Sequence, residues 1–222
     1  METFFITVEW TLFVTDMYVY INLWYYAFKI LQTRRRKWLM ATYFTADLHF
    51  GHQAIINFCN RPYGDVSEMN QSLIKNWNSR VNNDDHVYIV GDLYYGGRDA
   101  AGVDEAIATV KKLNGILHLV AGNHDFPYLK KMEYHYLFAD VDQIRYLKYE
   151  GENIFLCHYP MAEWSGYYRG SWHIYGHIHN DKDSTAYQFM RTLDNALNAG
   201  VDICGYMPVT FEELVKYNEV II

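Results

Sequence analysis

Five polar clusters in this chain each follow directly on an apolar, β-branched or aromatic run, and they constrain the fold more than any other feature. Asp47 and His49 follow Thr42-Tyr43-Phe44-Thr45, and Asp92 follows His86-Val87-Tyr88-Ile89-Val90. Asn123 and His124 follow the run from Ile116 to Ala121, and His158 follows Asn153 to Cys157. His177 and His179 follow Trp172-His173-Ile174-Tyr175. Such runs read as buried strands. Layered α/β folds bind ligands outside the carboxyl ends of their strands, so five such clusters should meet on one rim. Taken singly, each is a turn carboxylate, a cap or a surface imidazole. Their succession at strand ends is what carries meaning.

The stretches between the runs complete the pattern. A short helical piece is expected around Ala54 to Cys59. A longer amphipathic helix is expected with Ser67 as N-cap and Glu68 in its first turn, running to about Val81. Val103 to Leu113 reads as a helix closed by Asn114-Gly115. This alternation of strand and helix is the signature of a layered α/β domain. Beyond Phe126 the pattern changes. Gln143 to Tyr149 and Asn153 to Cys157 are joined by Glu150-Gly151-Glu152 as a hairpin, which brings in an antiparallel portion. A further strand is expected near Ala199 to Cys204. A last helix opens on the capping box Thr210-Phe211-Glu212-Glu213.

The clusters hold carboxylates, imidazoles and one amide, the N/O donors of hard to borderline divalent metals. His177 and His179 lie two residues apart and point the same way on an extended backbone. Two imidazoles do not hold a catalytic metal alone, so other ligands must join them. The three cysteines (Cys59, Cys157, Cys204) are far apart, which disfavours both a thiolate zinc site and a disulfide framework and suits a reducing compartment. A formal net charge of −7 argues against a broad nucleic-acid surface. It leaves phosphoester substrates open, because bound cations reverse the sign inside a site.

Residues 1–39 differ from the rest, being dense in aromatics and ending in Arg34-Arg35-Arg36-Lys37. Three readings stand: an artefactual or optional extension with Met40 as the real start, an anchor or docking helix, or an integrated helix of the fold. Trp10 to Phe28 has about the length of a membrane span but contains Asp16. A signal peptide would carry its basic residues before its apolar run, and here the order is reversed. If the segment is an anchor, the basic run places the main domain on the cytoplasmic side; otherwise a cytoplasmic protein is expected. The domain organisation is thus an extension, 1–39, and one domain, 40–222.

In this order, D-x-H, G-D, G-N-H-D, a strand-end H and G-H-x-H resemble the signature of the calcineurin-like metallophosphoesterases. The resemblance spans Tyr43 to His179, with all five blocks intact, and its compact length is similar to the small bacterial, archaeal and phage phosphoesterases. It implies an α/β (α+β) fold of four layers, αββα, a two-sheet β-sandwich flanked by helices. It also implies two divalent metal ions bridged by Asp92. Asp47, His49 and His179 would hold one, and Asn123, His158 and His177 the other. Mn²⁺ is the first expectation, with Fe, Zn²⁺ or Ni²⁺ as others. Two cations about 3.5–4 Å apart activate a hydroxide and clamp the oxygens of an in-line displacement. His124 then resembles the histidine that contacts phosphate and protonates the leaving oxygen, and Asp125 a residue that orients a neighbour.

The protein-phosphatase branch has G-D-x-x-D-R-G at its bridging aspartate, whereas this chain reads Gly91-Asp92-Leu93-Tyr94-Tyr95-Gly96-Gly97. The phosphate-clamping arginine is missing, which disfavours a phosphoprotein substrate. Arg61 and Arg98 are candidates to replace it, or are surface residues. Tyr159 to Tyr168, with Met161, Trp164, Tyr167 and Tyr168, could stack a substrate ring or form a hydrophobic cap or dimer patch. His52 lies near the site without an assigned role. The expected function is a phosphoesterase acting on a small nucleotide-like diester or monoester, with a homodimer possible. A nuclease on DNA or RNA, or a non-catalytic scaffold of the same fold, is the alternative.

Overall fold

The computed structural model describes residues 40–96, 99–125, 129 and 132–219. The readings of residues 1–39 and of Arg98 fall outside them. Among the described residues, no helix is long and apolar enough to cross a membrane.

Two four-stranded sheets form the framework. The first has the order β1 (Thr42–Thr45), β2 (His86–Ile89), β3 (Ile116–Val120) and β4 (Asp140–Asp142), all parallel. The second has the order β5 (Ile144–Tyr149), β6 (Glu152–Cys157), β7 (Trp172–Tyr175) and β8 (Ala196–Asn198). Its first pair is antiparallel and the others are parallel. Glu150 and Gly151 both take positive φ in the β5–β6 turn, which matches the right-handed twist of a two-residue hairpin. Ala46 bridges to Gly200, and Phe44 to Val209, so the end of β1 is tied to the segments that follow β8.

Strand periodicity sorts the side chains into three apolar layers. On β2, Val87 and Ile89 face the helices α2 (Val66–Asn78) and α3 (Ala100–Val110), packing with Met69, Leu73, Trp77, Val103 and Ala106. Tyr88 and Val90 face the other way, into a layer shared with Ile154, Leu156, Ile174 and Leu197 of the second sheet. Phe155, Cys157 and Tyr175 point to the far side of that sheet, against Trp164 and Met190. Met190 ends α4 (Thr185–Met190). Opposite faces of one strand thus fill different cores, which is why the strands read as continuous apolar runs. Two sheets flanked by helices are the expected architecture.

Several boundaries differ from the sequence expectations. The cap of α2 is Asp65, whose carboxylate accepts from the Glu68 N–H at 2.8 Å, so Ser67 lies inside the first turn. Helix α3 likewise starts three residues early because Asp99 accepts from the Gly102 N–H at 2.8 Å. Strand β4 and helix α4 are short elements with weak periodicity. The strand expected at Ala199 to Cys204 is instead β8 followed by turns. Helix α1 (Gln53–Phe58) falls where a helical piece was expected. The capping box of α5 (Phe211–Glu219) is present: Glu213 accepts from the Thr210 N–H at 2.9 Å.

Candidate metal centre

The five clusters converge. Asp47, His49 and His179 present ligand-capable atoms within 4.8 Å of one another, and so do Asp92, His158 and His177. Asp92 Oδ2 lies 3.3 Å from His158 Nε2 and 3.6 Å from His49 Nε2, so one carboxylate stands between the two sets. Asn123 Oδ1 lies 3.1 Å from His158 Nε2 and 3.0 Å from His177 Nδ1, which puts the amide with the second set. His177 and His179 therefore face different sets, although they are two residues apart.

The backbone explains how neighbours diverge. Asp47, His49, Asp92, His177 and His179 all have φ between 48° and 73°, the left-handed region. Asp and His are among the residues that tolerate that region, but each such residue still costs about 1–3 kcal/mol. Strain gathered at five residues of one rim marks a functional site. The glycines that open two of the blocks are fixed by close approach. A Cβ on Gly122 would meet Asp92 Oδ1 at 2.3 Å, and one on Gly176 would meet Asp47 Oδ2 at 2.7 Å.

Hydrogen bonds from outside hold these groups. Asp125, wholly buried, accepts from the N–H groups of Asp92, Leu93 and Gly122 at 2.8, 3.0 and 2.8 Å. It locks the second block to the third, the orienting role expected for it. Asp92 Oδ1 accepts from the His124 N–H at 2.9 Å, and Asp47 accepts from the His177 N–H through both oxygens. His158 Nδ1 donates to the Val90 carbonyl at 2.9 Å, which turns its Nε2 toward Asp92 and Asn123.

Two residues of this outer layer take roles the sequence did not suggest. Asp202 accepts from His179 Nδ1 at 2.8 Å, the carboxylate–histidine arrangement that fixes a ligating ring. Arg61 is neither a surface residue nor a phosphate clamp. It is 4% exposed and pairs with both oxygens of Asp202, at 2.8 and 2.9 Å. It also donates to the carbonyls of Asp47 and Leu48 at 2.7 and 2.9 Å, which stiffens the first block. His52 pairs Nδ1 to Nδ1 with His49 at 3.2 Å and lies flat on Tyr95, with ring centroids 3.7 Å apart.

The electrostatics fit a site built for cations. Burial pushes the Asp47 carboxyl up, against the attraction of His179 and His158. Burial works against charge on His179 too, but Asp47 and Asp202 outweigh it and raise its pKa to about 11. His158 is raised to about 9 by its bond to Asp92 and by Asp47, again against burial. Asp92 is lowered, because His158 more than offsets its desolvation. His49 is pushed far down, first by burial and then by His179 and Arg61. It is thus a neutral imidazole, and its buried Nε2 has no hydrogen-bond partner. An orphaned ring nitrogen facing a carboxylate and two more imidazoles is a lone pair held ready for a metal ion. The donor set accordingly fits divalent metal ions.

His124 stands at the mouth, with 35% of its side chain exposed and Nε2 4.0 Å from Asp92 Oδ2. It opens with His49, His177 and His179 onto a cleft of about 840 Å³, within the range of about 300–1,000 Å³ for small-molecule sites. The aromatic loop after His158 contributes less than expected. Trp164 is buried and donates to the Ser171 carbonyl at 3.0 Å, and Tyr168 is 83% exposed away from the cleft lining. Only Tyr159 of that loop reaches the site, with its ring 4.7 Å from that of His177.

The uncharacterized protein MJ1445 of Methanocaldococcus jannaschii is 34% identical over 178 residues, which cover 80% of this chain and 90% of that protein. Gene 66 protein of Mycobacterium phage L5 is 36% identical over 96 residues, 43% of this chain and 45% of the phage protein. Among solved structures, AQ665 of Aquifex aeolicus, a protein of unknown function, superposes with a TM-score of 0.61 at 25% identity. That superposition covers 79% of this chain and 97% of AQ665. The family profile described as calcineurin-like phosphoesterase matches residues 40–181. Blocks, fold and donor set agree with that match, and the chain belongs to the calcineurin-like phosphoesterases, metal-dependent hydrolases of phosphoric esters.

Proposed function

We propose that this phosphoesterase works with two divalent ions and hydrolyses a small nucleotide-like phosphodiester or phosphomonoester. The observation that carries this reading is the pair of donor sets sharing one carboxylate, Asp92, beside the cleft that His49, His177 and His179 line. Asp47, His49 and His179 would hold one ion, and Asn123, His158 and His177 the other. Manganese is the first choice for this N/O set, with iron, zinc and nickel also suited. The ions would supply Lewis acidity toward phosphoryl oxygens and a water of lowered pKa.

The chain's own residues do the rest. Asp125 and Arg61 hold the backbone of the Asp92 and Asp47 blocks, so the donors need not reorganise when substrate arrives. His124, beside Asp92 yet open to the cleft, is placed to give a proton to the leaving oxygen. Arg61 is committed to Asp202 and cannot reach out to a phosphate, which supports a small ester over a phosphoprotein. The test is hydrolysis of bis(p-nitrophenyl) phosphate and p-nitrophenyl phosphate after loading with Mn²⁺, Ni²⁺ or Zn²⁺. Turnover of at least one ester is expected, and no turnover with any of the three metals would sink the reading.

A further inference from the structure

The geometry points to a ring-binding shelf beside the metal centre, made by Phe58 and the stacked pair His52–Tyr95, that selects substrates with one phosphate and a flat aromatic group such as a nucleobase. This rests on the phosphoesterase reading and adds the class of the group attached to phosphorus. Helix α1 turns Ile55 and Ile56 into the core but leaves its last residue, Phe58, 77% exposed on the cleft wall. Phe58 meets the His52 ring edge-on at 6.4 Å, and His52 lies flat on Tyr95, itself 36% exposed. Tyr95 in turn lies 5.2 Å from His124. Exposed ring area therefore lies at Phe58 and at Tyr95 beside His124, linked by the largely buried His52. Exposed aromatic area clustered in a cleft, rather than scattered over a surface, marks a ligand wall.

A second stretch of the cleft lining offers little positive charge of its own. It is formed by Asn180, Asp181, Lys182, Asp183 and Ser184. Lys182 is the one Lys or Arg lining the cleft among the described residues, and carboxylates flank it on both sides. Binding along a nucleic-acid strand needs a positive groove that follows the backbone. Beyond the proposed ions, which would take one phosphate, one lysine between two aspartates offers little to hold a second. Stacking is tolerant of ring identity, so the shelf selects flat aromatic groups as a class.

The test measures inhibition of ethyl p-nitrophenyl phosphate hydrolysis by thymidine 5′-monophosphate and by methyl phosphate, in the metal-loaded full chain. Thymidine 5′-monophosphate should bind about tenfold more tightly than methyl phosphate. Phe58→Ala should bring that ratio down toward one, while Tyr168→Ala, an exposed aromatic off the cleft, should leave it as it was. Equal inhibition in the wild type, or an unchanged ratio in Phe58→Ala, overturns the shelf. A single strand of about ten nucleotides binding more tightly than the mononucleotide near 0.15 M salt overturns the single-phosphate limit. Calorimetric binding of the same two ligands reads the ratio without turnover. Failure of hydrolysis and failure of the shelf are therefore told apart.

Discussion

The molecule holds two histidine clusters, and they differ in what their ring nitrogens face. On the first sheet, His118 uses both: Nε2 pairs with His86 Nδ1 at 2.8 Å and Nδ1 with Asp140 at 2.8 Å. Arg145 closes the chain by binding Asp140 and Asp142. These residues sit on regular strand backbone, and His118 stacks on Tyr88 at 4.5 Å. At the carboxyl ends of the strands the pattern is the opposite. His49, His177 and His179 stand on left-handed backbone, His158 and His179 are tied through Nδ1 to the Val90 carbonyl and the Asp202 carboxylate, and the inner nitrogens turn to a common space. A histidine cluster with closed pairings is structural. One with an orphaned His49 nitrogen beside a shared carboxylate is a candidate ligand set.

The widest gap between the clusters should appear in catalysis. Asp92→Ala should lose bound metal, seen by elemental analysis of the purified variant, and turnover with it. His124→Ala should keep its metal and lose about 10²–10⁴-fold in kcat, the range for a removed proton donor. Equal metal loss in both variants would break the division of roles. Next comes Asp202→Asn, which touches both the His179 ring and the buried Arg61. Metal affinity should fall about 10–100-fold, as for other second partners of ligating histidines. Thermal unfolding should report a loss of about 3–5 kcal/mol, the cost of stranding a buried charge. An Asp202→Asn protein with wild-type metal affinity would show that His179 needs no orientation.

The closed cluster should respond in stability alone. His118→Gln should cost about 0.5–1.5 kcal/mol in denaturant unfolding, because the half-buried Asp140 and His86 each lose a partner. Metal content and turnover should remain at wild-type values, and any drop in metal content would join the two clusters after all. The smallest effect belongs to an ion pair outside both. Arg80 holds the Glu213 carboxyl below its ordinary value of 4.5, with desolvation working against it, and both side chains are about a third exposed. A depressed carboxyl stabilises above its unfolded pKa. The contribution should therefore be full at neutral pH and fade as pH falls below about 4.5. Glu213→Gln should cost about 0.5 kcal/mol at pH 7 and nothing near pH 3. A difference that persists in acid would assign the effect to the capping box instead.

Much of the site was legible because its donors occupy strand ends, where apolar runs stop abruptly and the polar residue types stand out. Asp202 obeys the same rule and was still missed. Strand β8 ends at Asn198, and Gly200-Val201-Asp202 follows it much as Gly91-Asp92 follows β2. Placing a strand at Ala199 to Cys204 put Asp202 in its middle and hid the pattern. Arg61 could not be read at all, since its burial depends on a carboxylate 141 residues away. The helix starts failed for a local reason. Asp65 and Asp99 are caps as favourable as Ser67, and cap preference alone does not separate neighbouring candidates.

Each donor set draws on both sheets. Asp47, His49, Asp92 and Asn123 follow strands of the first, while His158, His177 and His179 follow strands of the second. A bound ion would therefore act as a rivet across the seam, and one held by Asp47 and His179 would close a chain loop of more than a hundred residues. Chelation should then do more than stop turnover. It should loosen the docking of the two halves, raise amide exchange along the rim first, and lower the temperature at which the sandwich opens.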